Sequence, residues 1–395
     1  MMNKTGKLIL MYKDFEILSF IADLTNSRFE LVEKLDRFDL APQGMKEEKA
    51  DINLELSKFF NTRKISINRW DYDLIIKNTN TSSSLELSFK GHGLSLFNHY
   101  WFKKEGEDLK YDDINFFTNK WDDSFARAVL NGDYDSLSKC DLNVPDIVTA
   151  GFSVKGWVYE DGPKLYKLGI DKGHYEEPLA EVLASRLAQR LLNEGEVLKY
   201  DLVKLGDKYA SRCPCMLTID EELIPLSKVL PRELYTLFSQ ANMNKENLRL
   251  FYKKLKENYP IEYYHLFVKL AVIRSLCFVT DLHFENISVI KNIKTGEIRP
   301  APLYDLAGAF GSSRTGKSII SKVDKSTYFI IYYIFGTFDQ ELDYSWYVPS
   351  KLDGFDNEIR EILSKSSFYT PELIDKVIDV YLFQKESLDE VAKKV

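Results

Sequence analysis

Residues 276–311, LCFVTDLHFENISVIKNIKTGEIRPAPLYDLAGAFG, constrain this chain more than any other stretch. An apolar helical run gives way to a polar loop, and a short apolar strand, ISVI, leaves it. A Lys-Thr-Gly turn reverses the strand, and PAPLYDLAG returns. Asp281 and Asn286 stand five apart in the loop, and Asp305 ends the returning strand. Phosphoryl transfer needs a carboxylate to orient or deprotonate the attacking hydroxyl, and oxygen ligands to hold Mg²⁺ on the nucleotide phosphates. Asp and Asn are common enough that the spacing alone is weak, and an ordinary polar hairpin is the plain alternative. The order helix, loop, strand, turn, strand, Asp-x-x-Gly weighs against that alternative.

The lobe upstream of this stretch contains what such chemistry requires. TAGFSVKGWVYEDGPKLYKLGI, from residue 149, reads as a glycine-containing turn, a strand, an Asp161-Gly162 turn and a second strand. Lys167 on the second strand is a candidate to pair nucleotide phosphates, against the plain reading of a solvated lysine. Gly151 and Gly156, with Thr149, Ser153 and Lys155, form a turn whose backbone N–H groups suit phosphates, although a simple hairpin explains them equally. The helix EEPLAEVLASRLAQRLLNEG follows, with Pro178 in its first turn, Gly195 at its stop, and Leu179, Leu183, Leu187 and Leu191 as its apolar stripe. Rotation of 100° per residue from that stripe sets Glu181 opposite the core and Glu177 at its border, which favours Glu177 as the lysine's partner. A dipole-favoured carboxylate in the first turn is the competing reading of Glu177.

The flanking segments divide the chain. KLILMYK, EILSFIAD and SRFELVEKL form a β-meander, with PQGMKEEKAD at 42–51 and NTNTSSS at 78–84 as surface loops. KYDLVKL and YASRCPCML add strands after the helix. From about residue 225 the periodicity turns helical, through NKENLRLFYKKLKENYP, PIEYYHLFVKLAVIRSLCFV, DNEIREILSK and a last helix capped by Thr370 with Pro371 at its first position. The domains are therefore expected as a β-rich N-terminal subdomain over 1–143, a sheet lobe with one helix over 144–224, and a helical lobe over 225–395.

Composition excludes several function classes. The 395 residues carry 53 Lys+Arg against 60 Asp+Glu, a net charge of -7, so no global positive field draws the chain to nucleic acid or to an anionic membrane. The N-terminal apolar run, 8–12, is too short for a secretory h-region, and LFVKLAVIRSLCFV is broken by Lys269 and Arg274. The expected location is cytoplasmic, with no membrane contact. Four cysteines argue against a disulfide framework, and buried thiols are favoured over a zinc site built on Cys213 and Cys215.

On these residues the chain resembles the HipA-like serine/threonine kinases, a bacterial family with a protein-kinase-like fold. TDLHFEN is similar to the family's D-x-H-x-x-N catalytic loop, PAPLYDLAG to its metal-binding segment, and EPLAEVLASRL to the helix bearing its ion-pair glutamate. GHGLSLFNHYWF at 91–102 and DINFF at 113–117 resemble a branch of HipA-related proteins. The resemblance implies an α+β, bilobal protein-kinase-like fold, with a small β-rich N-lobe carrying one helix, a helical C-lobe, and a β-rich subdomain in front. It implies ATP and Mg²⁺ as cofactors, Asp281 as catalytic base, and Asn286 and Asp305 as metal ligands. It further implies Lys167 on the phosphates with Glu177 as its partner, and Gly151, Ser153, Lys155 and His283 about the nucleotide. It also implies a protein substrate, a small DNA-binding antitoxin as partner of a toxin, and autophosphorylation at Ser153 with Thr149 behind it. Within the same chemistry, a small-molecule phosphotransferase and a nucleotide-binding pseudokinase remain open.

One motif competes. GSSRTGKS, residues 311–318, matches G-x-x-x-x-G-K-[ST], but a P-loop needs a buried strand before it and a helix opening at Lys317. LYDLAGAF is a poor buried strand, and 77 residues after Ser318 leave little room for the remaining βα units. As part of the loop after Asp305, the same residues offer Ser312, Ser313 and Thr315 as hydroxyls in a mobile, solvated segment.

Overall fold

The computed structural model describes residues 5–149, 151–169, 176–241, 245–279, 286–322 and 338–393. The chain forms two compact units, Met1–Lys172 with Leu217–Glu222, and Gly173–Met216 with Leu223–Val395.

The first unit opens on the expected meander. Strands β1 (Leu8–Tyr12), β2 (Phe15–Asp23) and β3 (Arg28–Lys34) pair antiparallel, and β4 (Tyr100–Lys104) joins on the far side of β1, giving the order β3-β2-β1-β4. Asp23 closes the β2–β3 turn, its Oδ1 accepting from the N–H groups of Thr25 and Asn26 at 3.1 Å. Inward residues Leu10, Leu18, Phe20, Phe29 and Phe102 meet the buried face of helix α1 (Ile52–Asn61), where Ile52, Leu56 and Phe60 recur at helical spacing. Phe29 and Phe60 stack at 4.7 Å.

This unit is less β-rich than its sequence suggests. Besides α1 it carries α2 (Tyr72–Asn78), α3 (Ser84–Lys90), α4 (Tyr111–Ile114) and α5 (Ser124–Asn131). These helices are short, and Asn, Asp, Ser and Phe give them low intrinsic propensity, so caps and packing fix them. Asp51, for example, caps α1 by accepting from Asn53 and Leu54 N–H.

The GHG motif bends the chain back on the sheet. His92 and Gly93 both take left-handed φ, +56° and +62°. The His92 carbonyl then accepts the Phe102 N–H at 3.0 Å, and its Nδ1–H reaches the Phe102 carbonyl at 3.1 Å. The same unit holds the hairpin of β5 (Val154–Glu160) and β6 (Gly162–Gly169), reversed at Gly162 with φ +108°.

The second unit begins with α6 (Glu176–Leu191), followed by the antiparallel pair β7 (Asp201–Leu205) and β8 (Lys208–Pro214). A three-stranded sheet of order β11-β10-β9 comprises β9 (Glu221–Pro225), β10 (Ser288–Asn292) and β11 (Ile298–Pro300). The helices are α7 (Arg232–Ala241), α8 (Lys245–Asn258), the largely buried α9 (Ile261–Cys277), α10 (Arg314–Lys322), α11 (Phe355–Leu363) and α12 (Pro371–Ala392). Thr370 caps α12, as its sequence predicts, accepting from Leu373 N–H at 3.3 Å. Among the described residues no helix is long and apolar enough to cross a membrane. Cys213 and Cys277 are buried thiols.

Candidate active site

In the second unit the chemistry gathers where the β10–β11 hairpin opens. Helix α9 ends with Phe278 in the left-handed region, φ +52°, and the Val279 N–H returns to the Arg274 carbonyl at 3.0 Å. This 6→1 bond satisfies a free carbonyl and turns the chain sharply. Asp281 and His283 follow in sequence and lie outside the described residues. Asn286 precedes β10 by two residues and Asp305 follows β11 by five, so the two flank the β10–β11 hairpin in sequence. Asn and Asp side chains carry the oxygen donors that hard cations take.

Asp305 is held by its backbone. Leu303 forms a parallel bridge with Val197, its N–H reaching the Glu196 carbonyl at 2.8 Å while its own carbonyl accepts the Leu198 N–H at 2.9 Å. The Tyr304 hydroxyl meets Ser288 Oγ at 2.7 Å. Asp305 itself has φ +58°, a conformation costly for a residue with a Cβ and one that the packed surroundings enforce. The Phe310 N–H then donates to the Cys277 carbonyl at 2.7 Å, returning the chain to the end of α9.

Tyr200 marks the centre of this arrangement. Burial pushes its phenol well above the ordinary tyrosine range, and the charges of Glu181 and Asp305 act in the same direction. The Asp305 N–H points at its hydroxyl, 3.5 Å away. Glu181 is thus close to the Asp305 segment, and it is only 1% exposed, with Ser211 Oγ donating to its Oε2. The rotation argument from the sequence fails here. It assumed one apolar stripe, whereas α6 is buried on two faces, and Ser185 on the Glu181 side donates to the Leu198 carbonyl at 2.8 Å. Glu177 is half-buried in the first turn, and burial together with the charges of Glu176 and Glu177 makes the Tyr369 phenol harder to ionise.

In the first unit, the lysines singled out by the sequence lie on the β5–β6 hairpin. Lys167 on β6 is 8% exposed, and it stands directly opposite Lys155 on β5, just past a bulge at Val154. Opposed residues of an antiparallel pair share a face, and like charges so placed repel. Gly151 has φ +101°, and a Cβ there would lie 2.7 Å from Lys155 Nζ, so the ammonium folds over the glycine turn. Ser153 is half-buried in that turn. Thr149 is buried, its hydroxyl donating to the Pro145 carbonyl at 2.9 Å.

GSSRTGKS is neither a P-loop nor a solvated loop. No strand precedes it, and α10 opens at Arg314, three residues too early, with Ser313 Oγ accepting the Gly316 N–H at 2.9 Å. Lys317 donates to the Phe368 carbonyl at 3.2 Å and lies 4.0 Å over the Phe368 ring. Ser312 is buried and bound to the Ala307 carbonyl at 2.7 Å. Among the described residues no cluster of three or more His, Cys, Asp or Glu is placed to hold a metal.

A mixed α/β chain with several antiparallel sheets, a helical second half and this hairpin has a HipA-like fold. It is similar to HipA of Shewanella oneidensis MR-1, solved in complex with HipB and its operator DNA, at 15% identity over 98% of this chain and 99% of that one, with a TM-score of 0.51. The proinflammatory kinase CtkA of Helicobacter pylori is similar over 61% of this chain and 90% of its own, at 14% identity and a TM-score of 0.43. No protein-family model and no curated protein matches the chain. The mixed α/β architecture with antiparallel sheets is consistent with the fold that the catalytic-loop and metal-segment motifs imply.

Proposed function

We propose that the chain is an ATP- and Mg²⁺-dependent serine/threonine protein kinase of HipA-like type. The observation that carries this reading is the Asp305 segment, where the metal-segment aspartate is held at φ +58° by the Leu303 bridge and its N–H faces the buried Tyr200 hydroxyl. Lys167 holds the nucleotide's phosphates, while Gly151, Ser153, Lys155 and His283 surround the nucleotide. Asn286 and Asp305 supply the oxygens for Mg²⁺, which when bound neutralises charge on the transferring phosphoryl group. Asp281 receives the proton of the acceptor hydroxyl. Of the two candidate carboxylates for the lysine's partner, Glu181 takes precedence over Glu177, because it is the buried one and shares Tyr200 with Asp305.

Ser153 is the favoured autophosphorylation site. The Thr149 and Ser312 hydroxyls are buried and already donate to carbonyls, while Ser153 sits in the glycine turn. The HipA that this chain resembles was solved with HipB and DNA. By extension, a small DNA-binding antitoxin is the partner proposed here, and any contact with DNA runs through it. Such a division of labour suits a chain of net charge -7.

The test is incubation of the purified chain with labelled ATP, Mg²⁺ and cell lysate, with mass spectrometry of the labelled species. Labelled protein is expected, with transfer by Asp281→Asn reduced by about a thousandfold or more. Undiminished transfer by that variant removes Asp281 from the mechanism. Label on a metabolite identifies a small-molecule phosphotransferase, and binding without transfer identifies a pseudokinase.

A further inference from the structure

A cavity of about 350 Å³ opens in the second unit between the turn after α6, one side of α9 and the end of β11. Helix α9 gives it Glu262, His265, Leu266 and Lys269, spaced i, i+3, i+4 and i+7 and therefore along one stripe. Leu303 completes an apolar floor with Leu266, both nearly buried, while Glu194 and Arg299 stand on the exposed rim. The volume is at the small end of ligand pockets.

The charges around this floor are mixed. Carboxylates and cations face the cavity together, which suits neither a polyanion nor a polycation, but fits a molecule with one group of each sign above a short apolar body. The position also has a consequence. Leu303 is the residue whose N–H and carbonyl join Glu196 and Leu198, and Glu196 is itself ion-paired to Lys269. An occupant resting on Leu303 and Lys269 touches the junction between the end of α6 and the segment that reaches Asp305 two residues later.

We propose that this cavity is a regulatory site for a free aliphatic α-amino acid. The ammonium group meets Glu262 and Glu194, the carboxylate meets Arg299 and His265, and the side chain covers Leu266 and Leu303. Binding stiffens the bridge at Leu303 and so biases the approach to Asp305. Binding stands on the cavity itself, whereas its regulatory effect through Asp305 rests on the kinase reading.

The experiment uses the full chain and L-leucine. Calorimetric titration is expected to give a dissociation constant on the order of 1 mM or tighter, weakened at least about fivefold in Arg299→Ala and in Glu262→Gln. Both substitutions are at exposed rim positions, and their melting temperatures serve as the folding control. Amide hydrogen exchange at Leu198 and Leu303 is expected to slow several-fold with leucine present, a readout that needs no enzymatic activity. Three outcomes each overturn the proposal. These are no binding at about 20 mM leucine, binding matched by 4-methylpentanoate and isopentylamine, and binding that both variants leave unchanged.

Discussion

Asp146 and His99 show how single buried groups set the pH response of the first unit. Asp146 Oδ1 accepts the Trp157 N–H at 2.7 Å, pinning β5, and burial raises its carboxyl to about 7. Such a group favours the folded state when protonated, so its contribution is complete below about pH 4 and is lost as the pH rises through 7. His99 has the opposite sense. It is buried against the Tyr111 hydroxyl at 2.8 Å and lowered to about 4, chiefly by burial, so its contribution is complete above about 6.5 and is lost on acidification. Between pH 4 and 6.5 the two slopes oppose each other. Asp146→Asn keeps an oxygen for Trp157, and its stability relative to the parent should rise from pH 4 to 7 and then level off, as read from melting temperatures across that range. At the candidate site the residue-scale prediction concerns the two glutamates. Glu181→Gln is expected to lower kcat by about a hundredfold or more and Glu177→Gln by about threefold or less, the reverse order restoring Glu177.

At the scale of elements, the meander, α6, the β5–β6 and β7–β8 hairpins, α8, α9 and the Thr370 cap were legible in the sequence, because each has a clear period or a strong terminal signal. Helices α1 to α5 were less so, since each runs for only 4 to 10 residues, too few turns to establish a helical period. The side of α6 that would serve a catalytic role was also hidden, because a helix buried on two faces has no unique stripe. The phosphate motif, already disfavoured by its sequence context, has a local explanation. Gly316 and Lys317 sit inside the first turn of α10, with the lysine spent on Phe368. Lys317→Ala should therefore leave ATP affinity within about twofold of the parent in equilibrium binding. The segment that receives Lys317 does more. Ser366 donates to Glu176 at 3.1 Å and Tyr369 donates to the Phe310 carbonyl at 3.2 Å, so residues 366–369 join the first turn of α6 to the segment after Asp305. No sequence pattern announces such a link, because its partners lie up to 190 positions away.

At the scale of the whole molecule, the hairpin that Asn286 and Asp305 flank belongs to one compact unit and the lysine hairpin to the other. Ligand linkage tests the two shares separately. Magnesium-ATP at about a hundred times its dissociation constant should stabilise the chain by about 2.7 kcal/mol in thermal unfolding. Asp305→Asn is expected to remove the part of that gain that depends on magnesium, while Lys167→Ala removes the gain with or without it. The short segment Leu217–Glu222, distant in sequence, completes the first unit, with Glu222 Oε1 accepting the His99 N–H at 3.4 Å. The edge of that unit's four-stranded sheet has a consequence of its own. With the His92 carbonyl on the N–H of Phe102 and the His92 imidazole on its carbonyl, another strand can pair at that point of β4 only after an intramolecular step moves the His92 main chain and ring away. Sheet extension there is limited by a first-order event rather than by encounters between molecules, so its rate should stay flat as the protein is concentrated.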